Sequence, residues 1–488
     1  MKHMRERNRQ SQRGISILTV TLALAVLLPM VGLAFDLTIL YLVRTRLLTA
    51  TDAALLAAAR GLSKGSTPEQ QVQNARNAAA KFFAANFPQG YWGTTNLSFP
   101  PPAVDETSYP NYRTVTGAAS VDAPLYFMRI FGSRYSTVRI SAQAARRDAL
   151  VVLVLDRSSS MNRQVTGAGR TACEIMRNDA KEFIKYFAPG RDKLGLVVFS
   201  SGVYRINPTT NFNPTSSSDP IVAAINSIQC KDNTASAEAL HAAYEMITAN
   251  NETSRANVIV FMTDGIPNGV TGDFIPYRIS PCGNTGAPMI GVLAQWANNA
   301  PTGTTAGLMG RNISSVSAGT SYSTENTANC RFRTNLSYVR QDVTRMPPTD
   351  VYGNALDGPY TTYLNSNVPF FGSPADLTRV DLPQEITKAS ANAFDNQGTV
   401  IRSNTTLKPM IYTIGLNTDP TGNDYPDEQL LRKLANDPGM AAMAYPYSAF
   451  YQSQMNQTRG IYVNAPDATQ LAAAFQTIAT HIVVRLAY

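Results

Sequence analysis

The stretch ALVVLVLDRSSSM, residues 149–161, decides the fold, because an unbroken apolar run leads directly into a carboxylate and several hydroxyls. Such a run is typical of a strand that is buried on both faces of a parallel sheet. Asp156, Ser158 and Ser160 follow it in D-x-S-x-S spacing, which predicts one carboxylate and two hydroxyls on a tight loop. Ligands of open α/β sheets bind at the carboxyl ends of the strands. We therefore predict a functional site on this loop.

The rest of the chain from residue 149 alternates strand-like and helix-like runs. Further strands are predicted at 194–199, 257–262, 409–414 and 460–463, with helices at about 171–187, 219–229, 235–250, 383–402, 427–436 and 467–481. This alternation predicts an α/β fold with a doubly wound, mainly parallel sheet. Residues 201–206 are expected to add an antiparallel edge strand. The stretch at about 270–382 is rich in Gly, Ser, Thr, Asn and Pro, and we expect it to be a long insertion.

Two later segments carry oxygen side chains that can reach the same edge of the sheet. Asp264 follows the apolar run at 257–262, and Thr234 lies just before a predicted helix, which its hydroxyl could alternatively cap. Hydroxyl and carboxylate oxygens are hard ligands that suit Mg²⁺, with Mn²⁺ or Ca²⁺ as alternatives. The predicted metal ligands are Asp156, Ser158, Ser160, Thr234 and Asp264. The alternative is a helix-capping cluster without metal. We expect Arg157 to screen the metal or contact a ligand, and Asp232 to be solvated.

The N-terminus predicts a membrane anchor. Residues 14–35 contain no charged residue, and 22 helical residues are long enough to cross a hydrocarbon core of about 30 Å. The basic tail, residues 1–13, is expected to stay cytoplasmic by the positive-inside rule. A cleaved signal peptide ending at Gly32-Leu33-Ala34 is the alternative. We expect Asp36, at the outer edge, to reach the lipid headgroups.

Four segments follow from this pattern. They are the tail 1–13, a transmembrane helix with an extracytoplasmic extension at 14–61, a small α+β module at 62–147, and the α/β domain at 148–488. The extension is expected to offer an apolar face to a partner. The module combines a helix at 68–88 with short β-prone runs at 91–147. We expect its core to contain Tyr126, Phe127 and Phe131.

All four cysteines follow the predicted span, and none stands in a CxxC pair, so a zinc site is not expected. An even number in an exported region indicates disulfides. Among the three possible connectivities we choose Cys173–Cys230 with Cys282–Cys330. Buried free thiols are the alternative.

The composition of the chain disfavours several classes of function. Net charge is +8, but half of it lies in the first 13 residues, so no nucleic-acid partner is expected. Only three histidines are present and no G-x-S-x-G elbow occurs, which disfavours a Ser-His-Asp enzyme. A phosphorylated Asp156 would usually be accompanied by a second aspartate two residues on, where Ser158 stands. We therefore expect a binding protein and not an enzyme.

Two family resemblances extend this prediction. The ordered runs VVLVLDRSSSM, KLGLVVFSS, DNTASAEALHAA, NVIVFMTDGIPN and MIYTIGL resemble von Willebrand factor A domains with a metal-ion-dependent adhesion site. This resemblance implies that the five predicted ligands form the metal shell. The N-terminal part, with Arg-Gly before the span, Gly-x-x-x-Asp at its end and Thr-Asp-Ala-Ala beyond, resembles TadG-like Flp pilus-assembly proteins.

Together the resemblances imply a metal-dependent binding or adhesion protein of a bacterial Tad/Flp pilus assembly system. It would cross the inner membrane once, with its bulk periplasmic or extracellular. Its partners would be pilus components or a surface protein that offers an acidic group. The alternatives are a structural scaffold with a fold-stabilising metal and a metal-dependent hydrolase.

Overall fold

The structure is a computed structural model that describes residues 2–109, 111–165, 168–274, 289–295, 305–319, 345–357, 374–380, 382–418 and 426–485. The chain divides after Arg146 into two compact units.

The first unit is built on one long helix, α1 (Lys2–Gly61), followed by α2 (Pro68–Asn86). Among the described residues, α1 is the one helix long and apolar enough to cross a membrane, over Leu18–Gly61. Its outer segment carries buried residues at helical spacing, including Ile39, Val43 and Leu47, which pack in one core with α2. The apolar face that we expected to meet a partner is therefore covered within this unit.

A four-stranded sheet completes the first unit. Its strands are β1 (Thr95–Ser98), β2 (Ala103–Asp105), β3 (Tyr112–Pro124) and β4 (Tyr135–Arg147). β3 pairs with the other three strands. From Val115 onward its residues are buried alternately, as expected for a strand with one face on a core. Gly117 lets α1 come close, since a Cβ there would lie 2.8 Å from a methyl carbon of Leu55.

The second unit contains the doubly wound sheet. Its strands are β5 (Ala149–Asp156), β6 (Lys193–Phe199), β7 (Val203–Thr209), β8 (Ala256–Thr263), β12 (Met410–Leu416) and β13 (Tyr462–Ala465). They are ordered β13-β12-β8-β5-β6-β7. All neighbours are parallel except β7, which is the expected antiparallel edge strand. The predicted α/β fold class is confirmed.

Helices cover both faces of this sheet. They are α3 (Ala172–Ile184), α4 (Pro220–Ser227), α5 (Ser236–Asn250), α6 (Pro383–Arg402), α7 (Glu428–Ala435), α8 (Tyr447–Ser453) and α9 (Leu471–Arg485). Successive residues of β5 point to two separate cores: Val152 and Val154 to one, Val151 and Leu153 to the other. This double burial explains the unbroken apolar run of β5.

The expected insertion contains regular structure that the sequence pattern did not reveal. β9 (Gly269–Phe274), β10 (Met289–Gln295) and β11 (Thr305–Met309) form an antiparallel sheet in the order β11-β10-β9. Glycines interrupt each strand and weaken the apolar alternation on which a strand prediction depends. The short helix α8 was not predicted either.

A disulfide joins Cys173, on the first turn of α3, to Cys230, with the two Cα atoms 6.2 Å apart. Cys230 immediately precedes the loop that leads into α5. The bond therefore ties that loop to a helix of the core. Cys282 and Cys330 lie outside the described residues, and their pairing stays a prediction.

Candidate metal centre

Two neighbouring parallel strands bring their carboxyl ends to one point. Leu155 of β5 pairs with Met262 of β8, so that Asp156 and Thr263 are the next residues on each strand. The loops that follow begin side by side, because parallel strands in register end at the same sheet edge. The D-x-S-x-S loop and Asp264 therefore share this edge.

The side-chain oxygens of the two loops are in direct contact. The Ser160 hydroxyl donates to Asp264 Oδ1 at 2.8 Å, and the Ser158 hydroxyl donates to the same oxygen at 3.2 Å. The two serine Oγ atoms are 2.9 Å apart. Three of the five predicted ligands thus converge within hydrogen-bonding distance of one another.

Asp156 lies beneath these residues and is fully buried. Its Oδ1 accepts the backbone N–H of Ser158 at 2.7 Å, and its Oδ2 accepts the hydroxyl of Thr263 at 2.6 Å. Burial raises the pKa of Asp156 to about 6, and these two donors counteract part of that rise. Thr263 precedes the residue that the sequence singled out, and its role was missed.

Thr234 belongs to a third loop that is held against the second. Its backbone N–H donates to Asn268 Oδ1 at 2.6 Å, and its carbonyl accepts the Asn268 N–H at 2.9 Å. Within the described part of the chain no side chain caps α5, whose N-cap is Ala235, so the capping interpretation of Thr234 is wrong. These two bonds instead hold Thr234 against Asn268, which lies four residues after Asp264 on the second loop.

Arg157 points into the protein. Its guanidinium is fully buried and donates to the carbonyls of Val316 at 2.7 Å and Ala318 at 2.6 Å. It also forms an ion pair with Asp232 at 3.3 Å. Our expectations of a ligand contact for Arg157 and of a merely solvated Asp232 are therefore wrong. The pair fastens part of the insertion beside the D-x-S-x-S loop.

A further residue at the site comes from the loop after β12. The Thr418 hydroxyl donates to Asp264 Oδ2 at 2.9 Å, and Arg163 donates to Thr418 Oγ1 at 3.3 Å. Thr418 lies more than 150 residues from Asp264 in the sequence, in a segment without a recognisable motif. The strand order could have suggested it, because β12 is the neighbour of β8.

The donor set fits a hard divalent cation. It consists of carboxylate and hydroxyl oxygens, which Mg²⁺ prefers, and contains neither thiolate nor imidazole. The described residues contain no group of three or more His, Cys, Asp and Glu side chains able to hold a metal, so this site depends on its hydroxyls. Each hydroxyl retains lone pairs while it donates to a carboxylate.

The sheet order and these loops define a von Willebrand factor type A domain, and the family model of that name matches residues 151–266. A second family model, for TadE/G-like Flp pilus assembly, matches residues 14–61. The chain therefore combines an N-terminal segment that matches the TadE/G-like family with a von Willebrand factor type A domain.

Several solved structures align with parts of this chain at low identity. The pilus adhesin SpaC from Lactobacillus rhamnosus GG, in an open conformation, has 12% identity and a TM-score of 0.36 over 79% of this chain and 34% of its own. The PilB minor pilin from Streptococcus sanguinis has 15% identity and a TM-score of 0.36 over 81% of this chain and 79% of its own.

The vWF domain of the type V pili tip protein Mfa5 from Porphyromonas gingivalis has 16% identity and a TM-score of 0.33, over 70% of this chain and 97% of its own. The chain thus spans about a third of the length of SpaC. At these scores the likenesses carry no functional argument. A search of curated protein sequences finds no match.

Proposed function

We propose that this chain is a membrane-anchored adhesion protein of a Tad/Flp pilus system, which binds its partner through a divalent cation at the edge of the sheet. The observation that carries the proposal is the contact of Ser158 and Ser160 with one oxygen of Asp264. These atoms come from two loops and meet at the edge where ligands of such sheets bind.

The chain's own residues would hold the cation, with Mg²⁺ the best match. Ser158, Ser160 and Asp264 supply the converging oxygens, and Thr234 supplies one from the third loop. Asp156 orients the serine loop through the N–H of Ser158. Mg²⁺ usually keeps part of its shell for water or a ligand, so the bound ion would supply positive charge to an acidic group of the partner.

The anchoring is supported by α1. Its described side chains from Leu18 to Phe35 are almost all exposed, although most are large and apolar. Side chains of this kind are stable in lipid and not in water. We place the basic N-terminal tail in the cytoplasm and the rest of the chain beyond the inner membrane.

The binding role is tested with isolated Flp pili as the probe. Full-length protein in lipid nanodiscs is presented to pili in Mg²⁺ and in excess EDTA. We expect capture in Mg²⁺ that is lost in EDTA and in Asp156→Ala. Ser159→Ala is the matched control, because its hydroxyl points to the carbonyl of Asp232 and not to Asp264. Capture that persists in EDTA contradicts the proposal.

A structural role for the cation is the second candidate, favoured by the burial of Asp156. A cation would relieve the cost of an ionised, desolvated carboxylate. In that case Asp156→Ala lowers the melting temperature, but pili are still captured by the folded variant. Measuring both quantities on one preparation separates the two roles.

A further inference from the structure

The tip of the β3–β4 hairpin, residues 124–135 (PLYFMRIFGSRY), exposes large apolar side chains. Ile130 is 76% exposed, Phe131 66% and Tyr126 51%. Our expectation that Tyr126 and Phe131 belong to the core of the small module is therefore wrong. Such side chains side by side on a loop mark an interaction surface. We call this segment the hairpin tip.

The hairpin tip is clamped to α1 by Asp36. This carboxylate is buried and accepts the backbone N–H groups of Tyr126 at 2.7 Å, Phe127 at 3.1 Å and Met128 at 2.8 Å. Asp36 thus binds protein amides, and our expectation that it reaches lipid headgroups is wrong. Four hydrogen bonds to one carboxylate fix the position of the loop along the helix.

Gly32 provides the second contact, one helical turn before Asp36. A Cβ at Gly32 would lie 2.2 Å from the ring of Phe127, so only glycine lets this ring pack on the helix backbone. Phe127 in turn contacts Phe131, with ring centroids 5.7 Å apart. The exposed apolar residues are therefore attached to α1 between Gly32 and Asp36.

This point of attachment is the outer end of the apolar span. The uncharged segment ends at Phe35, and residues 32–36 cover about 6 Å of helix. If residues 14–35 cross a hydrocarbon core of about 30 Å, these residues lie at the boundary between acyl chains and headgroups. The hairpin tip is held at the same depth.

The residues around the hairpin tip are of the types found at the boundary between acyl chains and headgroups. Trp92, Tyr126 and Tyr135 are exposed aromatic residues from separate segments. A Cβ at Gly93, the neighbour of Trp92, would lie 3.3 Å from the hydroxyl oxygen of Tyr126. The ring of Phe35 packs edge-on against Tyr126, with centroids 5.9 Å apart. Aromatic residues of this kind are enriched at membrane–water interfaces.

The charges at the tip have one sign. Arg129 and Arg134 are exposed, and no acidic residue occurs between Asp122 and Asp148. Arginine side chains next to apolar residues extend to lipid phosphates while their stems stay in the apolar layer. A basic loop with an apolar tip therefore fits a phospholipid surface.

We propose that the hairpin tip inserts into the outer interface of the same bilayer that α1 crosses. This inference rests on the proposed membrane anchoring. The tip then makes a second contact with the membrane beside α1 and limits how far the first unit can tilt on its helix.

The test uses tryptophan fluorescence of the full chain in phosphatidylcholine–phosphatidylglycerol vesicles, with lipids brominated at a chosen acyl-chain depth. Trp92→Phe and Trp296→Phe remove the native tryptophans. Single reporters are then added as Phe131→Trp on the hairpin tip, Leu27→Trp within the span, and Tyr109→Trp as control. Tyr109 is also exposed but lies beyond the opposite end of β3, about 40 Å away along the strand.

We expect Phe131→Trp to lose fluorescence to lipids brominated near the headgroup, Leu27→Trp to lose it to deeply brominated lipids, and Tyr109→Trp to be unaffected. If Leu27→Trp is quenched and Phe131→Trp is not, the hairpin proposal is overturned and the anchor stands. The exposed patch is then a surface for a protein. If neither is quenched, the anchor fails and the hairpin proposal fails with it.

Discussion

Asp36 in the first unit and Asp264 in the second both gather a loop around a buried carboxylate, but with different donors. Asp36 accepts backbone N–H groups from three consecutive residues. Asp264 accepts the hydroxyls of Ser158, Ser160 and Thr418. An N–H group can only donate, whereas a hydroxyl can rotate and offer a lone pair. The first arrangement is therefore a fixed clamp, and the second can reorganise around a cation.

This difference in donor type distinguishes a carboxylate held by protein amides from one whose donors are themselves able to ligate a cation. The hydrogen-bond donors described beside Asp36 are backbone N–H groups, which cannot ligate a cation. Around Asp264, each donor is itself a hard oxygen ligand. The same distinction explains why Asp36 needs no metal to be stable in its buried position, since charge-assisted hydrogen bonds compensate its desolvation.

The largest expected effect is loss of the clamp. Asp36→Ala leaves three backbone N–H groups without their acceptor, and a hydrogen bond to a charged group contributes about 1.5–3 kcal/mol. We expect the amides of residues 126–128 to exchange about 100-fold faster or more, since 1.4 kcal/mol is a factor of ten. Hydrogen exchange of the full chain in nanodiscs measures this.

Asp36→Asn is the graded control, since its amide keeps one acceptor oxygen but loses the charge. We expect Asp36→Asn to raise the exchange rate of the amides of residues 126–128 by an intermediate factor. The exchange rates of amides in the core strand β8 should be unchanged in both variants. Unchanged exchange at residues 126–128 in Asp36→Ala would mean that the clamp contributes nothing to holding the hairpin tip.

The second prediction concerns the stabilisation of the folded state by the bound cation. At a Mg²⁺ concentration 100 times the dissociation constant, binding to the folded state alone adds about 2.7 kcal/mol to the free energy of unfolding. We expect Asp264→Ala to remove this stabilisation. Asp273→Ala, at an exposed carboxylate on β9, should keep it. Thermal unfolding with and without Mg²⁺ measures both, and equal metal-induced shifts in the two variants would refute the site.

Much of the second unit could be predicted from sequence, because each strand and the polar residues after it form one continuous segment of the chain. Double burial requires an apolar run such as residues 149–155, and the oxygen side chains follow the strand ends directly. The convergence of Ser158, Ser160 and Asp264 was predicted on that basis. Thr418 was missed, because its position depends on the pairing of β12 with β8 and not on a motif.

The errors at Asp36 and Arg157 share one physical cause, which is hydrogen bonding to groups distant in sequence. We expected Asp36 to reach lipid headgroups and Arg157 to face the metal or a ligand. Both are instead buried and bonded to main-chain groups about 90 and 160 residues away. The sequence on either side of Asp36 and Arg157 contains no motif that predicts these partners. Conversely, the aromatic residues of the hairpin tip looked like core residues, because composition alone does not distinguish a protein interior from a lipid surface.

The pH dependence of the metal effect is the third prediction. Burial raises the pKa of Asp156 to about 6 from its ordinary value of 3.8. Without metal, the folded state holds this proton more tightly than the unfolded state. The contribution of Asp156 to stability is then fully present below about pH 4 and is lost as the pH rises through 6.

Metal binding has the opposite pH dependence, because an ionised Asp156 beneath the ligands adds negative charge that stabilises the bound cation. The Mg²⁺-induced shift in the unfolding midpoint should therefore be several-fold larger at pH 7.5 than at pH 5. Unfolding curves with Mg²⁺ and with EDTA at each pH measure it. A shift that is equal at both pH values would show that Asp156 does not have to ionise for the metal to bind.

The smallest effect compares two adjacent serines. Ser160 donates to Asp264, whereas the hydroxyl of Ser159 donates to the carbonyl of Asp232 at 3.0 Å. Removing one of several oxygen ligands weakens binding without abolishing it, because water can take the vacated position. We expect Ser160→Ala to raise the Mg²⁺ dissociation constant about tenfold, or about 1.4 kcal/mol. Ser159→Ala should leave it unchanged. Calorimetric titration of both variants decides, and equal constants would show that the Ser160 hydroxyl only orients Asp264, as the amides orient Asp36.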